Sequence, residues 1–239
     1  SKRKGSSFVS TNTQGKFMKV FLLAAGLGRR LLPHTANKPK CLIDIGGKPL
    51  LSWHVEKLKS FGIDNLIINL FHKGEQIENF LGDGSKWGIN IEYVYEKELL
   101  GTGGGIGNAL SSIGSEPFIV MSGDVWTDFD FSNLSLNEGS LAHLIMIENP
   151  PENPDGDMFL DKGKVNSSGE GRSLTFSGLA LIDPQLFIGA KTGKYDLWQE
   201  ILLPASEKGQ VSAEVYGGYL VNINTIEDLE KLDAYLLEE

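Results

Sequence analysis

Between Met18 and Asp124, short apolar runs alternate with segments of helical period, and this alternation restricts the fold more than any other feature. Val20–Ala25, Asn65–Leu70, Ile89–Tyr95 and Pro117–Met121 read as strands, with Cys41–Ile45 as a further short one. Pro49 to Phe61 places Leu50, Leu51, Val55, Leu58 and Phe61 on one helix face; Glu75–Leu81 and Thr102–Leu110 also read as helices. Strands that each lead into a helix are best satisfied by a parallel sheet covered on both faces. After Asp124 the pattern changes. Leu141–Ile147, Ser173–Ile182, Val211–Tyr216 and Gly218–Ile223 read as strands, around a glycine- and asparagine-rich stretch at 150–171. Thr225–Leu237 reads as a closing helix, with Thr225 and Asp228 as its capping box. The expected class is α/β: a mostly parallel central sheet flanked by helices, followed by a smaller antiparallel portion.

The 239 residues suit one domain, over 18–239. Residues 1–17 are polar, without periodicity and basic at the front, which reads as a disordered arm or residues foreign to the domain. Without the arm's four cations the net charge goes from −9 to −13, which argues against nucleic acid as a partner. No apolar run approaches the ~18 residues of a membrane helix, so no membrane partner is expected. The one cysteine, Cys41, fits a reducing, cytoplasmic setting.

The run "VFLLAAGLGRR" takes a buried strand into Gly26 and Gly28 and then into Arg29 and Arg30. Backbone without side chains approaches a ligand closely, and its amides can face phosphate oxygens. The dinucleotide fingerprint fails at Leu31, and there is no Walker loop. On these residues alone a tight turn with two solvated arginines is the better reading. The continuation "PHTANKPKCLIDIGGKPL" adds three prolines and Lys38, Lys40 and Lys48, which brings cations towards the strand end where ligands gather in open α/β sheets.

Two further stretches carry chemistry. "LLGTGGGIGNAL" sets three consecutive glycines at a helix start, which suits either a close ligand or a surface turn. "IVMSGDVWTD" ends an apolar strand at Gly123-Asp124, where a carboxylate can hold Mg²⁺ against phosphate oxygens. Trp126, beside Asp124, is a candidate wall for a sugar pocket.

The stretch "LAAGLGRRLLPHTANKPKCLIDIGGKPLL" resembles the signature loop of the sugar-1-phosphate nucleotidyltransferases, G-x-G-[ST]-R-x-x-P-x-T…x-P-K-P-L. Arg30, Pro33, Thr35, Pro39 and Lys40 fall on that pattern; Arg29 replaces its Ser or Thr, and Cys41 its second proline. "GDVWTD", "LGDGS", "TGGGI" and "LTFSG" are most similar to the N-acetylmuramate α-1-phosphate uridylyltransferases within that family. The resemblance implies a Rossmann-like fold of the nucleotide-diphospho-sugar transferase type, with Mg²⁺ as cofactor.

It also implies site residues. Ala24, Ala25, Gly26, Gly28 and Arg30 take the triphosphate, and Gly101, Thr102, Gly103 and Gly104 the base. Lys40 offsets phosphate charge, Gly178 lies on the sugar side, and Asp124 binds the metal. Against the C-terminal pattern G-Y-W-x-D-I-G-T the chain has Gly218-Tyr219-Leu220-Val221-Asn222-Ile223-Asn224-Thr225, so Asn222 stands at the second metal position. The activity implied is transfer from a nucleoside triphosphate, UTP favoured, to a sugar 1-phosphate, N-acetylmuramate 1-phosphate favoured, as in peptidoglycan recycling. The alternatives are guanylyl transfer to mannose- or heptose-1-phosphate, or a sugar-nucleotide-binding regulatory protein with impaired catalysis.

Overall fold

A computed structural model describes residues 18–167, 169 and 171–238. The expected arm at 1–17 lies outside the described residues. In chain order the elements are β1 (Lys19–Leu23), β2 (Asp44–Ile45), β3 (Lys48–Pro49), α1 (Leu50–Ser60), β4 (Asn65–Leu70), α2 (Gly74–Leu81), β5 (Asn90–Tyr95), α3 (Gly101–Asn108) and α4 (Leu110–Ile113). Then come β6 (Phe118–Ser122), β7 (Val125–Thr127), β8 (Ala142–Ile147), β9 (Met158–Asp161), β10 (Lys164–Asn166), β11 (Arg172–Ile182), α5 (Leu203–Glu207), β12 (Val211–Val215), β13 (Leu220–Asn222) and α6 (Ile226–Glu238).

Nine strands form one sheet in the order β5-β4-β1-β6-β11-β8-β12-β10-β9. β5, β4, β1 and β6 run parallel, as the strand–helix alternation requires. β11 pairs antiparallel with both β6 and β8, so the expected antiparallel portion extends the same sheet. The Gly- and Asn-rich stretch holds the antiparallel pair β9–β10. Two two-stranded ribbons, β2–β3 and β7–β13, lie outside the main sheet.

The apolar side chains divide among three cores. One includes Phe21, Ile106, Phe118 and Leu202, and so lies on the face covered by α3 and α5. The second includes Leu22, Val55, Ile77 and Ile119, beneath α1 and α2. The third seats Leu229 and Leu232 of α6 against Leu50, Trp126 and Ile223. The α6 capping box forms as expected: Asp228 N–H donates to Thr225 Oγ1 (3.2 Å), and Thr225 N–H to Asp228 Oδ2 (2.7 Å). Gly46 N–H bonds Asp233 Oδ1 (2.6 Å), which ties α6 to the β2–β3 turn. Among the described residues no helix is long and apolar enough to cross a membrane.

The chain leaves β1, adds β4 and β5 on one side of it, and returns to place β6 on the other. The strand order therefore reverses at β1, and open α/β sheets form a ligand crevice beyond the carboxyl ends of strands at such a reversal.

Candidate active site

A cleft of about 240 Å³ lies there. Its walls include Leu23–Gly26 from the end of β1, Asn69 from β4, Glu96 after β5, and Ser122–Asp124 after β6. Lys40 and Cys41 come from the loop after β1, and Leu99, Gly101 and Thr102 from the start of α3. Seven of the expected residues thus meet in one place: Ala24, Ala25, Gly26, Lys40, Gly101, Thr102 and Asp124.

Asp124 sits on a rigid turn. Gly123 N–H bonds Leu23 O (2.9 Å), and buried His54 contacts Gly123 O through Nε2 (3.2 Å). Ile223 N–H bonds Asp124 O (2.9 Å). The carboxylate itself faces Lys40, with Nζ to Oδ2 at 2.6 Å. Lys40 also donates to Asn224 Oδ1 (3.2 Å). Of the loop cations, Lys38 pairs with Asp44 (2.8 Å), and Lys48 pairs with Glu56 and lies over the Trp53 ring (3.7 Å). Lys40 alone among these three lines the cleft. Burial pushes the Cys41 thiol up to about 12, so that wall is a neutral thiol and no nucleophile.

The signature loop is held from within and from below. Gly28 takes a left-handed conformation (φ 61°) to start the short turn Arg29–Leu31, which a β-carbon would resist. Thr35 is buried and donates to Gly28 O (2.8 Å), closing the loop on itself. Lys73 donates to the carbonyls of Thr35 (2.9 Å) and Ala36 (2.6 Å). Arg29 and Arg30 are exposed on the turn, and the cleft wall does not include Arg30.

Three sets of expected residues sit apart from the roles expected of them. Gly103 and Gly104 do not bare their amides to a ligand: both N–H groups donate to Tyr195 O (3.1 Å each). A β-carbon on Gly103 would stand 2.5 Å from the Tyr195 ring, and one on Gly104 would collide with Gly193 O. These glycines admit the 193–197 segment, and Thr102 Oγ1 accepts Leu197 N–H (3.0 Å) to complete that dock. Trp126 is 8% exposed and packs edge-on against Trp53, Tyr219 and Tyr235, so its faces belong to the core under α6 and not to a sugar pocket. Asn222 lies exposed on β13, paired with Val125, and is not a wall of the cleft; the asparagine that reaches the Lys40–Asp124 pair is Asn224. Gly178 lies beside the cleft wall, at the register shift of β11 against β8; a β-carbon there would meet Ser122 Oγ at 2.7 Å.

Asn69 and Glu96 went unnoticed in the sequence. Asn69 Oδ1 accepts Ala24 N–H (2.7 Å), its Nδ2 donates to Glu96 Oε1 (2.7 Å), and Glu96 Oε2 accepts Leu100 N–H (3.0 Å). This buried chain fixes the end of β1 relative to the start of α3. The signal was a polar residue near the end of an otherwise apolar strand.

The donor set admits a divalent cation in one way. Among the described residues no three His, Cys, Asp or Glu side chains gather as a metal cage. A lone carboxylate still suits Mg²⁺, which keeps waters and takes its other ligands from substrate phosphates. Asp124 would be that carboxylate.

Residues 19–153 match the family model described as Nucleotidyl transferase. The chain belongs to this nucleotidyl transferase family. The N-acetylmuramate alpha-1-phosphate uridylyltransferase of Neisseria meningitidis serogroup B is 40% identical over 225 residues, which cover 91% of this chain and 97% of that protein. A D-glycero-alpha-D-manno-heptose 1-phosphate guanylyltransferase of Campylobacter jejuni is 30% identical over 216 residues, 88% of this chain and 96% of the relative. Among solved structures, HddC from Yersinia pseudotuberculosis complexed with GMP-PN is similar at a TM-score of 0.75 and 28% identity, over 91% of this chain and 99% of that one. In this nucleotidyltransferase the matched segment holds Lys40, Asp124 and both glycine loops, whereas Asn224 lies beyond it.

Proposed function

We propose that the protein transfers a uridylyl group from UTP to N-acetylmuramate 1-phosphate, releasing pyrophosphate. A phosphate oxygen of the sugar phosphate attacks the α-phosphorus. The bond from that phosphorus to the bridging oxygen of the leaving pyrophosphate breaks, and no protein nucleophile is needed. Catalysis of this kind is positioning and charge neutralisation. The observation that carries the reading is Lys40 paired with Asp124 in a cleft bordered by both glycine loops.

In this reading the backbone at Ala24–Gly26 receives the triphosphate, and Arg30 reaches it from the rim. Gly101 and Thr102 border the base. Lys40 offsets charge that builds on the phosphates. Asp124 would hold Mg²⁺, which would supply charge screening and Lewis-acid polarisation at the phosphates. Use of UTP and of N-acetylmuramate 1-phosphate rests on likeness to the Neisseria protein; a role in peptidoglycan recycling is what the family resemblance implies, and a cytoplasmic setting rests on the single cysteine. A second reading, guanylyl transfer to a heptose or mannose 1-phosphate, rests on likeness to the Campylobacter protein and to HddC.

Pyrophosphate release with Mg²⁺ tests the proposal, across UTP, GTP, CTP and dTTP, each against N-acetylmuramate, N-acetylglucosamine, mannose, heptose and glucose 1-phosphates. Turnover is expected with UTP and N-acetylmuramate 1-phosphate. Turnover only with GTP selects the second reading. If the native chain is silent on every pair, the proposal fails in favour of a binding protein, and activity of Asn222→Asp alone would assign the lost catalysis to position 222.

A further inference from the structure

Position 224 carries an asparagine where the C-terminal pattern has a glycine, in the same segment that replaces the pattern's aspartate with Asn222. One change removes a charge; the other adds an acceptor, and that acceptor lies on Lys40. The backbone that carries Asn224 is held in place. The Asn224 N–H donates to Asp228 Oδ2 (2.9 Å), and the next residue, Thr225, donates to the same oxygen (2.7 Å). On the other side Ile223 N–H bonds Asp124 O (2.9 Å). The capped first turn of α6 and the Asp124 turn thus pin the backbone on both sides of this side chain.

An amide oxygen brings no net charge to a lysine, but it fixes the direction in which the ammonium points. The Lys40 side chain is 14% exposed and Asp124 29%, so the pair is partly shielded from water and its geometry matters. With Nζ held between Asp124 Oδ2 and Asn224 Oδ1, one N–H remains beyond these two partners for a phosphate oxygen.

We propose that Asn224 is a positioning residue for Lys40, holding its ammonium against the Asp124 carboxylate. The inference rests on the reading of this cleft as the transfer site. It makes Lys40 the fixed positive charge of the site, present before any cation arrives with the nucleotide.

The test uses the full chain and two independent readouts. Trace reductive methylation without nucleotide, read by peptide mass spectrometry, reports how firmly Lys40 is held relative to Lys164. Asn224→Ala is expected to raise Lys40 labelling several-fold and leave Lys164 unchanged; Asn224→Asp, which keeps the acceptor, is expected to stay as slow as the native chain. Each variant keeps the backbone N–H that Asp228 accepts, and thermal melting checks that the fold persists. In transfer assays Asn224→Ala is expected to lower kcat about tenfold with KM for the nucleotide little changed, because misplacing one charge costs rate more than binding. Unchanged Lys40 labelling in Asn224→Ala overturns the proposal. So does weaker Mn²⁺ binding by that variant without nucleotide, which would make Asn224 a cation ligand. If the native chain transfers nothing, the reading of function has failed, and the labelling still decides the placement of Lys40.

Discussion

Asn69 donates to the Glu96 carboxylate across 2.7 Å with both side chains buried, and its other amide atom accepts the N–H of Ala24 at 2.7 Å. The carboxamide cannot rotate to serve either partner differently, since Ala24 needs an acceptor and Glu96 a donor. Asn69→Leu strands a backbone N–H and leaves a buried carboxylate short of one donor. The expected loss is about 2–4 kcal/mol, which lowers the melting temperature by roughly 5–15 °C. A double-mutant cycle with Glu96→Leu should show coupling above about 1 kcal/mol. Strictly additive effects would mean the two side chains do not support each other.

Gly26 and Gly104 separate two uses of glycine. Space around Gly26 is open, with nothing within 4 Å of an added β-carbon, whereas Gly104 lies against the backbone of Gly193. Gly26→Ala is expected to melt within about 2 °C of the native chain and to raise the nucleotide KM about tenfold, because a methyl group then stands where phosphate approaches. Gly104→Ala is expected to lose about 2 kcal/mol or more by overpacking. Differential scanning calorimetry beside initial-rate kinetics checks both. An unchanged KM in Gly26→Ala removes that backbone from the nucleotide site.

The parallel half of the fold was legible because each strand buried on both faces must be written as a nearly continuous apolar run, and "NLIINL" coincides with β4. The β7–β13 ribbon was not: three-residue strands far apart in the chain carry no period of their own, and their pairing is decided by α6 and the aromatic core. In the site, Asp124 was a candidate from its position at a strand end, whereas Lys40 was singled out from the neighbouring lysines by the resemblance to the signature loop. Gly103 and Gly104 misled because a glycine that bares backbone to a ligand and one that admits a neighbouring segment are written identically. Trp126 misled because its partners Trp53, Tyr219 and Tyr235 are distant in sequence. Asn224 was invisible as a contact, since only the closure of α6 onto the sheet brings it to Lys40.

Lys73 holds a left-handed backbone (φ 58°) just before α2 while its ammonium clamps two carbonyls of the signature loop. A non-glycine residue there costs roughly 1–2 kcal/mol, so the clamp and the strain oppose each other. Lys73→Gly removes both and is expected to change global stability by less than about 1 kcal/mol. Lys73→Ala keeps the strain and loses the clamp, and is expected to be the less stable of the two. Both should speed amide hydrogen exchange across residues 34–37 about tenfold or more and raise the nucleotide KM. Equal exchange in native and variant chains would show that the loop holds itself through Thr35 alone.

Two buried histidines make the stability of the fold depend on pH on the acid side. Burial lowers the His54 pKa from 6.5 to about 4, against a smaller opposing contribution from the Gly123 carbonyl. Burial also lowers that of His143, opposed by Glu214. Between pH 6.5 and about 4 the unfolded chain therefore takes up protons that the folded chain refuses. Stability should be full above pH 6.5, fall as the pH drops, and level off for His54 once the folded pKa is passed. For His54 alone the loss amounts to about 3 kcal/mol. Urea unfolding at intervals from pH 7.5 to 4 would measure it, with His54→Gln and His143→Gln each expected to flatten the slope. A native profile without slope through that window would mean that both rings accept a proton inside the fold. The turn carrying Asp124, which hangs on His54 through Gly123 O, would then be built to tolerate a charged imidazole beside it.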